Sequence, residues 1–243
     1  MSRLDVYLTE HNIYASRERS RRAIREGLVS VNGKVVVKAS FEVCENDVVQ
    51  GGSDPVPYVS RGGLKLESVF LLWPMDVTSL QCLDVGASTG GFTQVLLSRG
   101  AASVTAVDVG HGQLAEELRA DKRVINLEGT DIRGLPAAEY GGRFDFVSID
   151  VSFISLTHVL PSVYSYMKPK SLCVALVKPQ FELGRRALNK KGVVKNKAML
   201  PKAVETVSDC ARSIGFIMEK CVPSPIKGGD GNTEFLLVLT KGS

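Results

Sequence analysis

Apolar positions recur along this chain in two different rhythms, and the change falls near residue 60. Leu4, Val6, Tyr7 and Leu8 predict a short amphipathic helix that ends at a turn around Asn12. Ser16 reads as an N-cap, Arg17 to Glu26 as a second helix, and Gly27 as its stop. Leu28 to Val37 is β-rich on both sides of Asn32-Gly33, a dipeptide that tolerates the two positive-φ positions of a tight hairpin. A further strand is expected near Asp47 to Gln50, and Gly51-Gly-Ser-Asp-Pro-Val-Pro57 reads as a linker.

From Arg61 onward, helical stretches alternate with apolar strands. Strands are expected at Gln81 to Val85, Ser103 to Val107, Arg123 to Asn126, Phe144 to Ile149, Ser171 to Val177, Phe216 to Val222 and Glu234 to Leu239. Helices are expected between most of them, among them Gly91 to Ser98 and Leu200 to Ser213. This alternation predicts an α/β fold, a mostly parallel sheet with helices on both faces. The short connection between the last two strands predicts an antiparallel edge pair.

Composition narrows the class. The 243 residues are 44% hydrophobic and 23% charged, which suits folded globular domains and excludes collagen-like, coiled-coil and wholly disordered chains. No run approaches the roughly 18 apolar residues of a membrane span, and the first ten residues lack a signal-like apolar core. The five scattered cysteines form no C-x-x-C pair and suit free thiols in a reducing cytoplasm; with only three histidines, no metal site is expected.

The net charge of +4 says little, but its distribution says more. Between Ala15 and Lys38 lie Arg17, Arg19, Arg21, Arg22, Arg25, Lys34 and Lys38 against two glutamates. Between Leu183 and Lys202 lie Arg185, Arg186, Lys190, Lys191, Lys195, Lys197 and Lys202 with no acid. Either stretch alone suits a solvated face. Together they favour a phosphate backbone as partner.

Leu83-Asp84-Val-Gly86-Ala-Ser88-Thr89-Gly90-Gly91-Phe92 closes the first strand of the second region and opens a helix. Such a glycine-rich turn suits close approach to a nucleotide-like ligand, though several fold types share it. Asp84, at the strand end, suits a cationic amino group; Asp108, twenty-two residues after Gly86, suits a ribose diol; Asp131 suits an adenine amino group. Each aspartate alone fits a cap or turn equally well. In this order they favour S-adenosylmethionine over a dinucleotide.

Four ionisable residues fall at strand ends or on a neighbouring helix: Lys65, Asp150, Lys178 and Glu234. A lysine closing an apolar strand is costly unless partnered. Two lysines and two acids suit deprotonation of a weakly acidic ribose 2′-hydroxyl, with the four acting as one coupled group. Methylation of a base amino group calls for an Asn/Asp-Pro-Pro-aromatic loop, and Asp150-Val-Ser-Phe153 stands in its place. Methylation of a pyrimidine carbon calls for a Pro-Cys nucleophile, which neither Cys82 nor Cys173 offers.

Lys65, Asp150, Lys178 and Glu234, with the Asp84 to Phe92 loop, resemble the FtsJ-like ribose 2′-O-methyltransferases. Within these, Tyr58-Val-Ser-Arg-Gly-Gly-Leu-Lys65, Val177-Lys-Pro-Gln-Phe-Glu182 and the segment Ser224-Pro-Ile to Gly231-Asn-Thr-Glu-Phe-Leu236 are similar to the TlyA (haemolysin A) family. The amino-terminal region resembles the RNA-binding domain of ribosomal protein S4. The resemblance implies an S4-like module and linker over residues 1–59 and a Rossmann-like methyltransferase domain over 60–243. It further implies S-adenosylmethionine-dependent methylation of cytidine 2′-hydroxyls in 16S or 23S ribosomal RNA, free or in subunits, with Lys178 as the base. The family's name adds a membrane-active alternative, and loss of catalysis would leave an RNA-binding factor. Residues 184–194 depart from the family pattern by carrying fewer glycines, which leaves the closure of that basic loop undefined.

Overall fold

The computed structural model describes residues 1–52, 58–228 and 231–243. Most of the expected linker, residues 53–57, lies outside the described residues. The chain divides into two compact units, Met1–Pro57 and Tyr58–Ser243.

In the first unit, β1 (Ser2–Arg3) leads into α1 (Leu4–Glu10), followed by α2 (Arg17–Arg25). Ser16 Oγ accepts from the Arg19 amide, so the expected N-cap is made, and Gly27 ends the helix at φ +74°. β2 (Val29–Val31) and β3 (Lys34–Val35) form the hairpin, with Asn32 and Gly33 at φ +51° and +75°. β4 (Glu42–Val43) pairs with β1, and β5 (Val49–Gly51) pairs with β2. The β1–β4 ribbon was not anticipated, because two residues per strand carry no readable alternation. Leu4, Leu8, Ala23, Ile24, Val29 and Val31 form the core, which leaves the arginines of α2 outside it.

The second unit opens with α3 (Gly62–Leu72), then β6 (Gln81–Val85), α4 (Gly91–Ser98), β7 (Ser103–Asp108), α5 (Glu116–Arg119) and β8 (Val124–Glu128). It continues with α6 (Ala137–Tyr140), β9 (Phe144–Ile149), α7 (Leu160–Tyr166), β10 (Met167–Val177), α8 (Pro179–Glu182), α9 (Leu200–Ser213), β11 (Phe216–Pro223) and β12 (Phe235–Lys241). The sheet runs β8-β7-β6-β9-β10-β12-β11; the first five strands are mutually parallel, and β12 runs against both its neighbours.

Successive residues of the central strands serve opposite faces. Cys82, Phe146, Val174 and Leu236 pack with Leu66 and Val69 of α3 and Val95 and Leu96 of α4. Their neighbours Leu83, Val147, Ala175 and Leu237 pack with Leu160 and Val163 of α7 and Val207 and Ala211 of α9. Burial on both faces explains why these strands read as continuous apolar runs, each large side chain contributing about 1.5–3 kcal/mol. The antiparallel pair is present, but only β11 lies at the edge. β12, with Leu236 to Leu239 buried, is inserted inside it, whereas β11 exposes Ile217. β10 begins earlier than expected, at Met167, because an irregularity between Met167 and Leu172 interrupts the pairing that the polar Lys168-Pro-Lys170 segment obscures.

Candidate active site

The parallel strands deliver their carboxyl ends to one edge of the sheet, where α/β folds place ligands. β6 ends in the glycine turn. A side chain at Gly86 would set its Cβ 2.5 Å from the Asp150 carbonyl oxygen, and at Gly90 2.2 Å from Leu118; both have positive φ. Glycine is required at both positions for the turn to lie against its own protein neighbours.

A cavity of about 520 Å³ opens beside this turn, lined by Gly86, Ser88, Asp108, Asp131 and Asp150 among others. Asp108 accepts from the backbone amides of Ser88 (2.8 Å) and Gly110 (2.7 Å), which fixes both carboxylate oxygens at the cavity wall. Asp131 also lines the cavity, but Arg133 grips both its oxygens and, as the leading cause, lowers its pKa. Glu128, at the end of β8, holds the facing turn by accepting from the amides of Leu114 and Gln113. The Leu114 amide leads in holding its carboxyl down to about 2.

Asp84 differs from its expected placement. Strand alternation turns its side chain toward α4, where it is fully buried and accepts from Thr93 Oγ1 (2.7 Å) and Ser148 Oγ (2.9 Å). Burial pushes its carboxyl up to about 6. It braces the turn and does not line the cavity. Thr89, Gly90, Gly91 and Phe92 also lie off the lining: Phe92 is buried in the core, and Gly90 and Gly91 start α4.

Lys65, Asp150, Lys178 and Glu234 form two ion pairs. Lys65 Nζ donates to Glu234 Oε2 at 2.7 Å, and Lys178 Nζ lies 2.6 Å from Asp150 Oδ1. Both lysines are only 9% exposed. β12 explains the arrangement: its antiparallel register pairs Val177 with Phe235, which sets Glu234 beside Lys178 just past the last paired residues. Lys178 and Glu234 line a second cavity, about 490 Å³, together with Phe181, Arg185 and Gly192.

Several contributors were not anticipated. Ser152 Oγ accepts from Lys178 Nζ at 2.8 Å. Ser152 and Phe153 line both cavities. Phe153 is 91% exposed at φ +65°, unusual for a bulky residue, and its ring meets Phe181 at 5.2 Å. The Asp-Val-Ser-Phe sequence drew attention to this loop, but only as a missing alternative. The buried Asn232 accepts from the Val194 amide and donates to the Gly192 carbonyl, both at 3.0 Å. These bonds tie down the basic loop, which is also closed on itself by a Leu188–Val194 bridge.

Arg185, Arg186, Lys190 and Lys191 are exposed on that loop. On α2, Arg17, Arg21 and Arg25 are exposed, while Arg22 is half-buried and pairs with Glu26; Lys34 is exposed on β3. Cys82 and Cys173 are buried, with the Cys82 thiol pushed up to about 12 chiefly by burial, so neither suits a nucleophile.

The family model for FtsJ-like methyltransferases matches residues 58–241, and that for the S4 domain matches residues 2–49. The chain is 40% identical to the 16S/23S rRNA (cytidine-2′-O)-methyltransferase TlyA of Mycobacterium tuberculosis, over 98% of this chain and 89% of that protein. It is 34% identical to the 23S rRNA (cytidine-2′-O)-methyltransferase TlyA of Campylobacter jejuni, over 98% and 99%. A solved Streptococcus thermophilus protein with a provisional hemolysin name has a TM-score of 0.78 at 39% identity, covering 100% of this chain and 89% of its own. Membership of this family makes S-adenosylmethionine the methyl donor, and the polar turn with its fixed Asp108 carboxylate suits that molecule's ribose. The chain is a member of the FtsJ-like methyltransferase family, in its TlyA branch, with an S4 domain at the amino terminus.

Proposed function

We propose that the protein methylates cytidine 2′-hydroxyls of ribosomal RNA. The observation that carries this reading is the pair of adjoining cavities: one bears the Asp108 carboxylate and glycine turn, the other bears Lys178, and Ser152 and Phe153 belong to both. S-adenosylmethionine, when bound, supplies an electrophilic methyl group. Lys178 Nζ, steered by Asp150 and Ser152, orients the ribose hydroxyl and in its neutral form takes its proton. The Lys65–Glu234 pair supplies a second enclosed cation to the same end of the sheet. Phe153 and Phe181 offer ring faces for an unstacked base, and Arg185 offers a phosphate contact. Asp108, Asp131 and the Gly86–Ser88 turn receive the donor.

The exposed basic residues of α2 and of the loop at 184–195 support RNA as the substrate, in free RNA or ribosomal subunits. A ribosomal substrate would place the enzyme in the cytoplasm. Among the described residues no helix is long and apolar enough to cross a membrane. Purified protein incubated with labelled S-adenosylmethionine should label unmethylated ribosomal RNA or subunits. Absence of label on all of these, with leakage from liposomes instead, would overturn the reading in favour of membrane activity.

A further inference from the structure

The first unit contains a carboxylate that methyl transfer does not use. Asp5, on α1, is fully buried. Arg3 Nε donates to its Oδ1 at 3.0 Å, while Arg21 Nε and Arg17 Nη2 donate to its Oδ2 at 2.7 and 3.1 Å. The three arginine side chains come from β1 and from two successive turns of α2, and they remain 48%, 49% and 51% exposed.

One bidentate arginine would neutralise a buried carboxylate. Three give the four-group cluster a net charge of +2, which fold stability alone does not call for. Three free guanidiniums would repel one another and spread; a shared anion beneath them holds them together. Each guanidinium has five N–H donors, so contact with Asp5 leaves donors available on every one. Ordering an arginine costs rotamer entropy, and Asp5 meets part of that cost before any ligand arrives. Burial pushes the Asp5 carboxyl up, but the bonds from Arg3, Arg21 and Arg17 outweigh it and hold it well below the usual range. Asp5 is therefore an anion wherever RNA would bind.

We propose that Asp5 is a positioning residue for RNA binding, gathering Arg3, Arg17 and Arg21 into one preorganised site for a backbone phosphate. This rests on the reading of the chain as an RNA methyltransferase.

The experiment measures binding of the full-length protein to in vitro transcribed, unmethylated large-subunit ribosomal RNA across a potassium chloride series. Asp5→Asn makes the protein more positive, so charge alone predicts tighter binding. The site predicts about tenfold weaker binding, the equivalent of one lost charge-assisted arrangement. In a double-mutant cycle, Arg21→Ala should cost less in the Asp5→Asn background than in the parent. Should Asp5→Asn unfold the amino-terminal unit, Arg21→Lys is the second variant: it keeps the charge, loses the Nε donor to Asp5, and should still bind several-fold more weakly. Parent-like or tighter RNA binding by folded Asp5→Asn, or by Arg21→Lys, would overturn the proposal while leaving the parent's methylation intact. A parent that neither binds nor methylates RNA would instead overturn the reading beneath it. Asp5-dependent binding to phosphatidylglycerol vesicles in place of RNA would overturn both.

Discussion

The two units use ion pairs in opposite ways. In the first, one buried carboxylate holds three half-exposed guanidiniums, and the excess positive charge faces water. In the second, each of two nearly buried lysines has its own carboxylate, and the charges balance inside the fold. Unbalanced charge at a surface attracts a polyanion over a distance set by salt. Balanced charge in an enclosed site attracts little from afar, but its hydrogen bonds and burial fix where each group points. On the proposed reading, the same residue chemistry serves grip in one place and reaction in the other, and burial decides which.

That contrast can be broken most severely at Lys178. Lys178→Ala should lower the rate of methyl transfer at saturating RNA by about 10²- to 10⁴-fold, the range for losing a positioned proton acceptor. Single-turnover assays with labelled donor would read it, and RNA affinity should change by far less. If affinity fell as steeply as rate, the enclosed pair would be a grip after all.

Asp84 tests what an enclosed carboxylate costs. Its folded pKa, raised by burial to about 6, lies above the unfolded value of 3.8. The folded state therefore holds its proton more tightly, and this group's contribution to stability is lost as pH rises from about 4 to about 6. The loss is on the order of a few kcal/mol. Asp84→Asn should lack that slope, so variant minus parent stability, from denaturant melts, should shift in the variant's favour across this window. A flat difference would contradict the assignment.

On the surface side, Arg19, Arg21 and Arg22 changed together to Gln should weaken RNA binding about tenfold. The slope of log affinity against log salt should flatten by up to about 2, while affinity for S-adenosylmethionine, by calorimetry, stays the same. The smallest effect is expected at Asn232. Asn232→Ala removes two bonds worth about 1 kcal/mol each and should expose the basic loop to trypsin at Arg185 to Lys191, with a few-fold rise in KM for RNA.

Elements with dense apolar periodicity were readable from sequence: β6, β9, α4 and α9 lie where the pattern put them. Asp150, Lys178 and Glu234 were readable as residues at strand ends and Lys65 as one on the helix before β6, since both are local properties. Their pairing was not, because Lys65 and Glu234 are brought together by the insertion of β12 between β10 and β11. Asp84 reads as a cofactor ligand from its position, yet the two-residue alternation of β6 directs it to Thr93 and Ser148. The roles of Asp5 and Asn232 were not readable: Arg3 is two residues from Asp5, but Arg17 and Arg21 lie 12 and 16 away, and the partners of Asn232 lie 38 and 40 away.

Lys178 is proposed to drive 2′-O-methyl transfer to ribosomal RNA. The most direct test maps alkali-resistant ribose positions on unmethylated ribosomal RNA after incubation with donor and either the parent protein or Lys178→Ala. A newly protected cytidine with the parent and none with the variant is the expected result. Protection that persists with Lys178→Ala, or a methyl group found on a base in place of the ribose, would contradict it.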